Sequence, residues 1–142
     1  MIYIGPDSKE RMNQEAEATY PNECCGFMYG TEDSDGNRTI TDVFAVTNGK
    51  DGDKRKRFEI TPKDYLHAEQ YGIEHDLSLL GVFHSHPDHP PVPSEHDRIA
   101  AQPYFSYLII SVKNKKADET KSWRLNDNDQ FDEEQIAEHP IA

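Results

Sequence analysis

The sequence predicts one mixed α/β domain, and three observations carry that prediction. Short runs rich in β-formers alternate with helix-start signals along the whole chain. An apolar run, Leu77-Ser78-Leu79-Leu80-Gly81-Val82-Phe83, reads as a buried central strand. The length, 142 residues with 35% hydrophobic content, suits a single domain with one sizeable core. Periodicity alone gives mixed α and β and does not order the strands.

Taken in order, Ile2-Tyr3-Ile4 is a short edge strand, and Pro6-Asp7-Ser8 opens a helix on which Met12, Ala16 and Tyr20 recur every four residues. Pro21 ends that helix and hands over to a strand expected at Glu23–Tyr29. Residues 31–38 form a polar turn around Asp35-Gly36, and Thr39 to Asn48 reads as a strand. A loop follows from Asn48 and ends in four consecutive cations, Lys54 to Arg57. This run reads as a solvated loop, with contact to an acidic partner or a substrate's terminal segment as the alternative.

Phe58-Glu59-Ile60 is expected as a short strand, and Thr61-Pro62-x-Asp64 starts a helix to about His75. His67 and His75 on that helix have no second ligand at useful spacing. After the central strand, a helix is expected from about Glu95 to Ala101, then strands at Ser106–Val112 and Lys121–Leu125. Residues 1–125 make the domain and 126–142 an acidic tail, with Phe131 and Ile136 expected to pin a short helix to the body.

Charge and composition narrow the partners. Acids outnumber bases 27 to 15, for a net charge of −12, and the tail supplies half of that excess through six acids and no Lys or Arg. Nucleic acid and anionic membranes both favour cationic surface, so neither is expected as a partner. The mean hydropathy is negative, and no apolar run approaches the roughly 20 residues of a spanning helix. No secretory signal is visible at the N-terminus, so a cytoplasmic location is expected. Cys24 and Cys25 are neighbours that would point to opposite faces of a strand, so no disulfide is implied. They read as two small buried residues; zinc ligation is the alternative.

Residues 84–97 hold four of the seven histidines, four of the nine prolines and three acids. His84 and His86 lie two apart at the end of the central strand, so both imidazoles leave one face. Pro87 then stops the ladder. Seven residues on, Ser94-x-x-Asp97 opens a helix whose first turn can aim a carboxylate back at the same point. The pair also matches a capping box, which alone would account for both residues; the two roles are compatible. Two histidines and a carboxylate suit zinc, and the same set holds Fe(II) in oxygenases.

His84-x-His86-x7-Ser94-x-x-Asp97 matches, without a departure, the motif of the JAMM (MPN-plus) zinc metalloproteases, and the chain resembles the compact prokaryotic branch of that family. The resemblance extends to Pro21–Gly30, where Glu23 precedes Cys24-Cys25-Gly26, to Arg57–Leu66, to Gly81–Pro87 and to Tyr104–Ser111, and covers roughly residues 1–125. It implies a three-layer α-β-α sandwich of the cytidine-deaminase-like kind, with a mixed sheet. It implies a zinc ion on His84, His86 and Asp97, Glu23 as general acid–base and Ser94 as the oxyanion donor. His89 and His96 are decoys inside the motif. His96 stands about 100° round the helix from Asp97, so the two should not share a target.

The implied substrate is a ubiquitin-like or sulfur-carrier protein ending in Gly-Gly, cut at the amide after its last glycine. The rivals are a non-catalytic scaffold of the same fold, a DNA-repair-associated relative and a phage-tail-like peptidoglycan hydrolase. No motif residue is missing, which argues against the scaffold.

Overall fold

A computed structural model describes every residue except Asp51, Lys56 and Ala142. Its elements in chain order are β1 (Ile2–Ile4), α1 (Pro6–Thr19), β2 (Cys25–Glu32), β3 (Arg38–Val46), α2 (Pro62–Glu74), β4 (Ser78–Pro87), α3 (Glu95–Ala100), β5 (Ser106–Lys113), β6 (Lys116–Leu125), β7 (Phe131–Glu134) and β8 (Ile136–Ala137). They build a mixed α/β fold on one eight-stranded sheet, ordered β7-β6-β5-β4-β2-β3-β1-β8.

Alternation along the central strands gives the sheet two apolar faces. Met28, Phe83, Leu108, Ile110 and Val112 pack on one side with Met12 and Ala16 of α1. Phe27, Tyr29, Val82 and Tyr107 pack on the other with Ala68 of α2. Helices therefore cover both faces, giving the three α-β-α layers the sequence led us to expect. α2 begins with a complete capping box, Thr61 and Asp64 each accepting the other's backbone N–H, behind Pro62 in the first turn. Caps of this kind contribute about 1 kcal/mol. Gly26 stands opposite Phe83 in the β2–β4 ladder, and any Cβ there would collide with the Phe83 ring. Its lack of a side chain lets the two site-bearing strands close.

Several expected boundaries move. β2 begins at Cys25, so Glu23 stands just outside the ladder. Phe58-Glu59-Ile60 is not a strand: the Glu59 N–H donates to the Asn48 side chain and its carbonyl accepts from Gly49, closing a loop instead of extending a sheet. β6 spans Lys116–Leu125, longer than expected, because the turn at Asn114 and Lys115 lets it pair with β5 almost from its start.

The tail holds no helix among its described residues. Phe131–Glu134 pairs antiparallel with β6, and Ile136–Ala137 pairs parallel with β1. These are the two edges of the sheet, and only Gln135 separates them along the chain. The sheet thus curls until its edges are joined by continuous backbone, with the Ile2 N–H donating to the Gln135 carbonyl at 2.9 Å.

Candidate metal centre

β4 carries the centre of the site. Val82, His84 and His86 alternate onto the α2 face, while Ser85 turns to the other face and accepts the Cys24 N–H at 2.8 Å. The Ser85 N–H donates to the Cys24 carbonyl, and β2 and β4 pair with Cys25 opposite His84. This register draws the segment before β2, with Glu23, to the end of the histidine strand.

The loop after Pro87 is held by its backbone. Asp88 takes a left-handed conformation (φ 57°), its N–H donates to the Val112 carbonyl, and its carboxylate accepts from the Tyr20 hydroxyl at 2.6 Å. Ser111 donates to the His89 carbonyl and the Trp123 indole to the Pro91 carbonyl. The loop delivers Ser94 to the N-cap of α3. There Ser94 Oγ accepts the Asp97 N–H at 3.0 Å, and Asp97 Oδ2 accepts the Ser94 N–H at 2.9 Å. The capping box and the convergence on the histidines coexist in one carboxylate.

Three atoms meet at this point. His84 Nε2 lies 3.1 Å from His86 Nε2, and Asp97 Oδ2 lies 3.2 Å from His86 Nε2 and 3.4 Å from His84 Nε2. Ligands at tetrahedral vertices, about 2.0–2.1 Å from an ion, stand roughly 3.3 Å apart. The triangle therefore fits a small divalent cation. His86 Nδ1 donates to the Pro90 carbonyl at 2.9 Å, which leaves the Nε2 lone pair pointing at the centre. Phe58 stacks on His84 at 4.4 Å. Burial pushes the His84 ring towards its neutral, ligating form. Burial works against the Asp97 charge, but the two imidazoles and the Ser94 N–H outweigh it and keep the carboxyl well below the usual carboxylate range.

Glu23 stands behind the triangle, its carboxylate within 4.8 Å of the imidazole nitrogens. It is 4% exposed, and its Oε1 has no hydrogen-bond partner among the described residues. Burial raises its pKa to about 8; His86 works against that rise and Asp97 adds to it. An orphaned carboxylate oxygen beside three converging ligand atoms fits a site built around an ion and its water. The site opens into a cleft of ≈ 520 Å³ lined by Glu23, His86, His89, Pro90, Val92 and Ser94. A second pocket of ≈ 250 Å³ holds His84, His96 and Asp97 against Phe58, Ile60 and Tyr65. The structure thus brings His84, His86, Asp97, Ser94 and Glu23 together, and places His89 and His96 along the two openings.

Sequence reasoning passed over Ser85, Phe58 and Asn48. Ser85 was legible in principle, since strand alternation sends it to the face opposite the histidines. Phe58 and Asn48 lie in a loop and carry no local signal.

A buried histidine pair and carboxylate with a second buried carboxylate beside them form, on an α-β-α fold, a cluster compatible with a metal ion. Residues 6–126 match the family of prokaryotic homologues of the JAB domain. The chain belongs to that family, a branch of the JAMM/MPN proteins. It is 30% identical over 115 residues to a desampylase of Pyrococcus furiosus, a stretch covering 80% of this chain and 74% of that protein. A protein of Desulfitobacterium hafniense solved in solution superposes with a TM-score of 0.84 at 33% identity, over 96% of this chain and 92% of the other. A JAB1/MPN domain protein of Archaeoglobus fulgidus shares the fold at a TM-score of 0.58 and 16% identity, over 97% and 100% of the two chains.

Proposed function

We propose that the chain is a zinc-dependent peptidase that hydrolyses the amide bond after the C-terminal Gly-Gly of a ubiquitin-like or sulfur-carrier protein. The observation that carries this reading is the buried, unpartnered Glu23 carboxylate facing the His84–His86–Asp97 triangle. The desampylase relative supports a substrate of the ubiquitin-like class. In this reading the enzyme works in the cytoplasm.

Here His84, His86 and Asp97 would hold the zinc, which would supply Lewis acidity and make a water molecule a readier nucleophile near pH 7. Glu23 takes the proton of the attacking water and carries it to the leaving amine. Buried beside the histidine pair, one carboxylate stands where it can serve both transfers. Water oxygen joins the glycine carbonyl carbon, the C–N bond breaks, and a carboxylate and an amine leave. The Ser94 hydroxyl accepts from the Asp97 N–H and keeps its own hydrogen for the oxyanion. Extended glycines suit the cleft because they let backbone approach backbone.

The test is cleavage of ubiquitin-like proteins extended beyond Gly-Gly, read by intact mass with and without a zinc chelator. Chelator-sensitive loss of the extension is expected, and the Glu23→Gln variant should be at least a hundredfold slower. Cleavage by Glu23→Gln at the wild-type rate would overturn the mechanism.

A further inference from the structure

Glu23 has a backbone problem, and the structure solves it with one side chain. Because β2 begins at Cys25, no strand ladder reaches Glu23. Its N–H donates to the Lys54 carbonyl at 2.7 Å, and its carbonyl accepts from Asn48 Nδ2 at 3.1 Å. Both partners belong to the segment that links β3 to α2. The backbone of the proposed general base is therefore anchored to a loop instead of to the sheet.

Asn48 is 7% exposed and uses its whole amide. Nδ2 donates to the Glu23 carbonyl and to the Arg57 carbonyl at 3.0 Å. Oδ1 accepts from the Lys50 N–H at 2.9 Å and the Glu59 N–H at 3.1 Å. Two donors and two acceptors are all that an amide offers, and a flipped amide would oppose like groups at all four contacts. One residue thus closes the loop on itself and pins it to Glu23. The same loop carries Lys54, Arg55 and Arg57, and leads into Phe58, which stacks on His84.

We infer that Asn48 is a positioning residue: through the Glu23 carbonyl it fixes where the general base stands relative to the histidine pair. The inference rests on the role proposed for Glu23. Proton transfer demands a base placed within a few tenths of an ångström, and misplacement by about 1 Å lowers rates on the order of a hundredfold. Asn48 hydrogen-bonds to none of the three proposed metal ligands, so its loss should leave zinc binding intact.

Two substitutions separate positioning from loop closure. Asn48→Ala removes all four hydrogen bonds. Asn48→Asp keeps the two accepted from Lys50 and Glu59 but removes both donated ones, including that to Glu23. Zinc content, kcat and KM on a Gly-Gly-extended ubiquitin-like fusion, and amide hydrogen exchange by NMR would be measured on the full zinc-loaded chain. The expected result is that both variants keep one zinc and a KM within about twofold of wild type. Their kcat should fall about 10- to 100-fold.

In both variants the Cys24 amide, which shares a peptide plane with the Glu23 carbonyl, should exchange at least tenfold faster, while the Lys50 and Glu59 amides stay protected in Asn48→Asp. Recovery of kcat in Asn48→Asp would overturn the inference, since loop closure alone would then suffice. So would a raised KM at unchanged kcat, which would make the loop a substrate contact, and so would a Cys24 amide as protected as in wild type. Should Asn48→Ala fail to fold, Asn48→Asp alone carries the comparison. A wild-type protein that cleaves no fusion refutes the proposed function, and the exchange of the Cys24 amide still judges the anchoring.

Discussion

Glu23 is held in the fold at a cost that depends on pH. Its pKa rises from 4.5 to about 8 because burial disfavours the carboxylate. A carboxyl raised in the folded state costs nothing below its unfolded value, and the penalty grows as pH rises from there through the folded value. The metal-free protein should therefore lose stability between about pH 5 and pH 8, and Glu23→Gln should remove that loss. The expected outcome is a Tm gain on the order of 5 °C for Glu23→Gln at pH 8 and little gain at pH 5, read by calorimetry. Equal gains at both values would show that the carboxylate is not held out of water.

Its neighbours Cys24 and Cys25 are 2% and 0% exposed, and burial pushes both thiols up to about 12. Neither should react with iodoacetamide at pH 7.5 in the native protein, and both should in denaturant. Mass spectrometry reads this directly. Adjacent cysteines before a glycine were legible as small buried residues because strand alternation leaves neighbours on opposite faces.

Among the elements, the tail differs most from what its composition suggested. The sequence predicts a short helix there, pinned by Phe131 and Ile136, yet β7 and β8 complete both edges of the sheet. What holds them is main-chain pairing, the packing of Ile136 and Phe131 against the two sides of the core, and one buried acid. Glu134 is 7% exposed, and its Oε1 accepts from Ser106 and Ser122 at 2.8 and 2.9 Å. Ser106 in turn accepts from the fully buried Arg38, which also donates to the Leu80 and Tyr104 carbonyls and to Glu32. Such a network has no periodic signature in sequence, since its members come from β3, β5, β6 and β7.

Ending the chain at Gln130 should expose the β1 and β6 edges and leave the Ser106 and Ser122 hydroxyls without their shared acceptor. The truncated protein is expected to melt more than about 10 °C lower and to associate at high concentration. Sedimentation and thermal melts check both. Ser106→Ala should cost about 1–2 kcal/mol, visible in urea unfolding, because it strips Arg38 and Glu134 of a shared hydroxyl.

For the molecule as a whole, metal and fold are linked. A cation that binds only the folded triangle stabilises it by mass action, about 2.7 kcal/mol at a hundredfold excess over its Kd. Zinc titrated into the chelated protein should raise Tm by roughly 10 °C, and Asp97→Asn should abolish most of that rise. An unchanged Tm on zinc addition would count against the ion.

By itself the sequence determined everything that neighbours along the chain dictate. A two-residue period put His84 and His86 on one face, Pro87 ended their strand, and the Ser94–Asp97 box started α3 with its carboxylate turned inward. Caps and periodicity act over a few residues, so a few residues reveal them. Tertiary structure decided the rest: that Cys25 pairs with His84 and so brings Glu23 to the site, that Asn48 grips the Glu23 backbone, and that an acidic tail closes the sheet. Asn48 and Glu23 stand 25 residues apart, Cys25 and His84 59, and Ile2 and Ile136 134, all joined through register and burial. No local pattern records them, because what selects each one is the surface that the other elements have already formed.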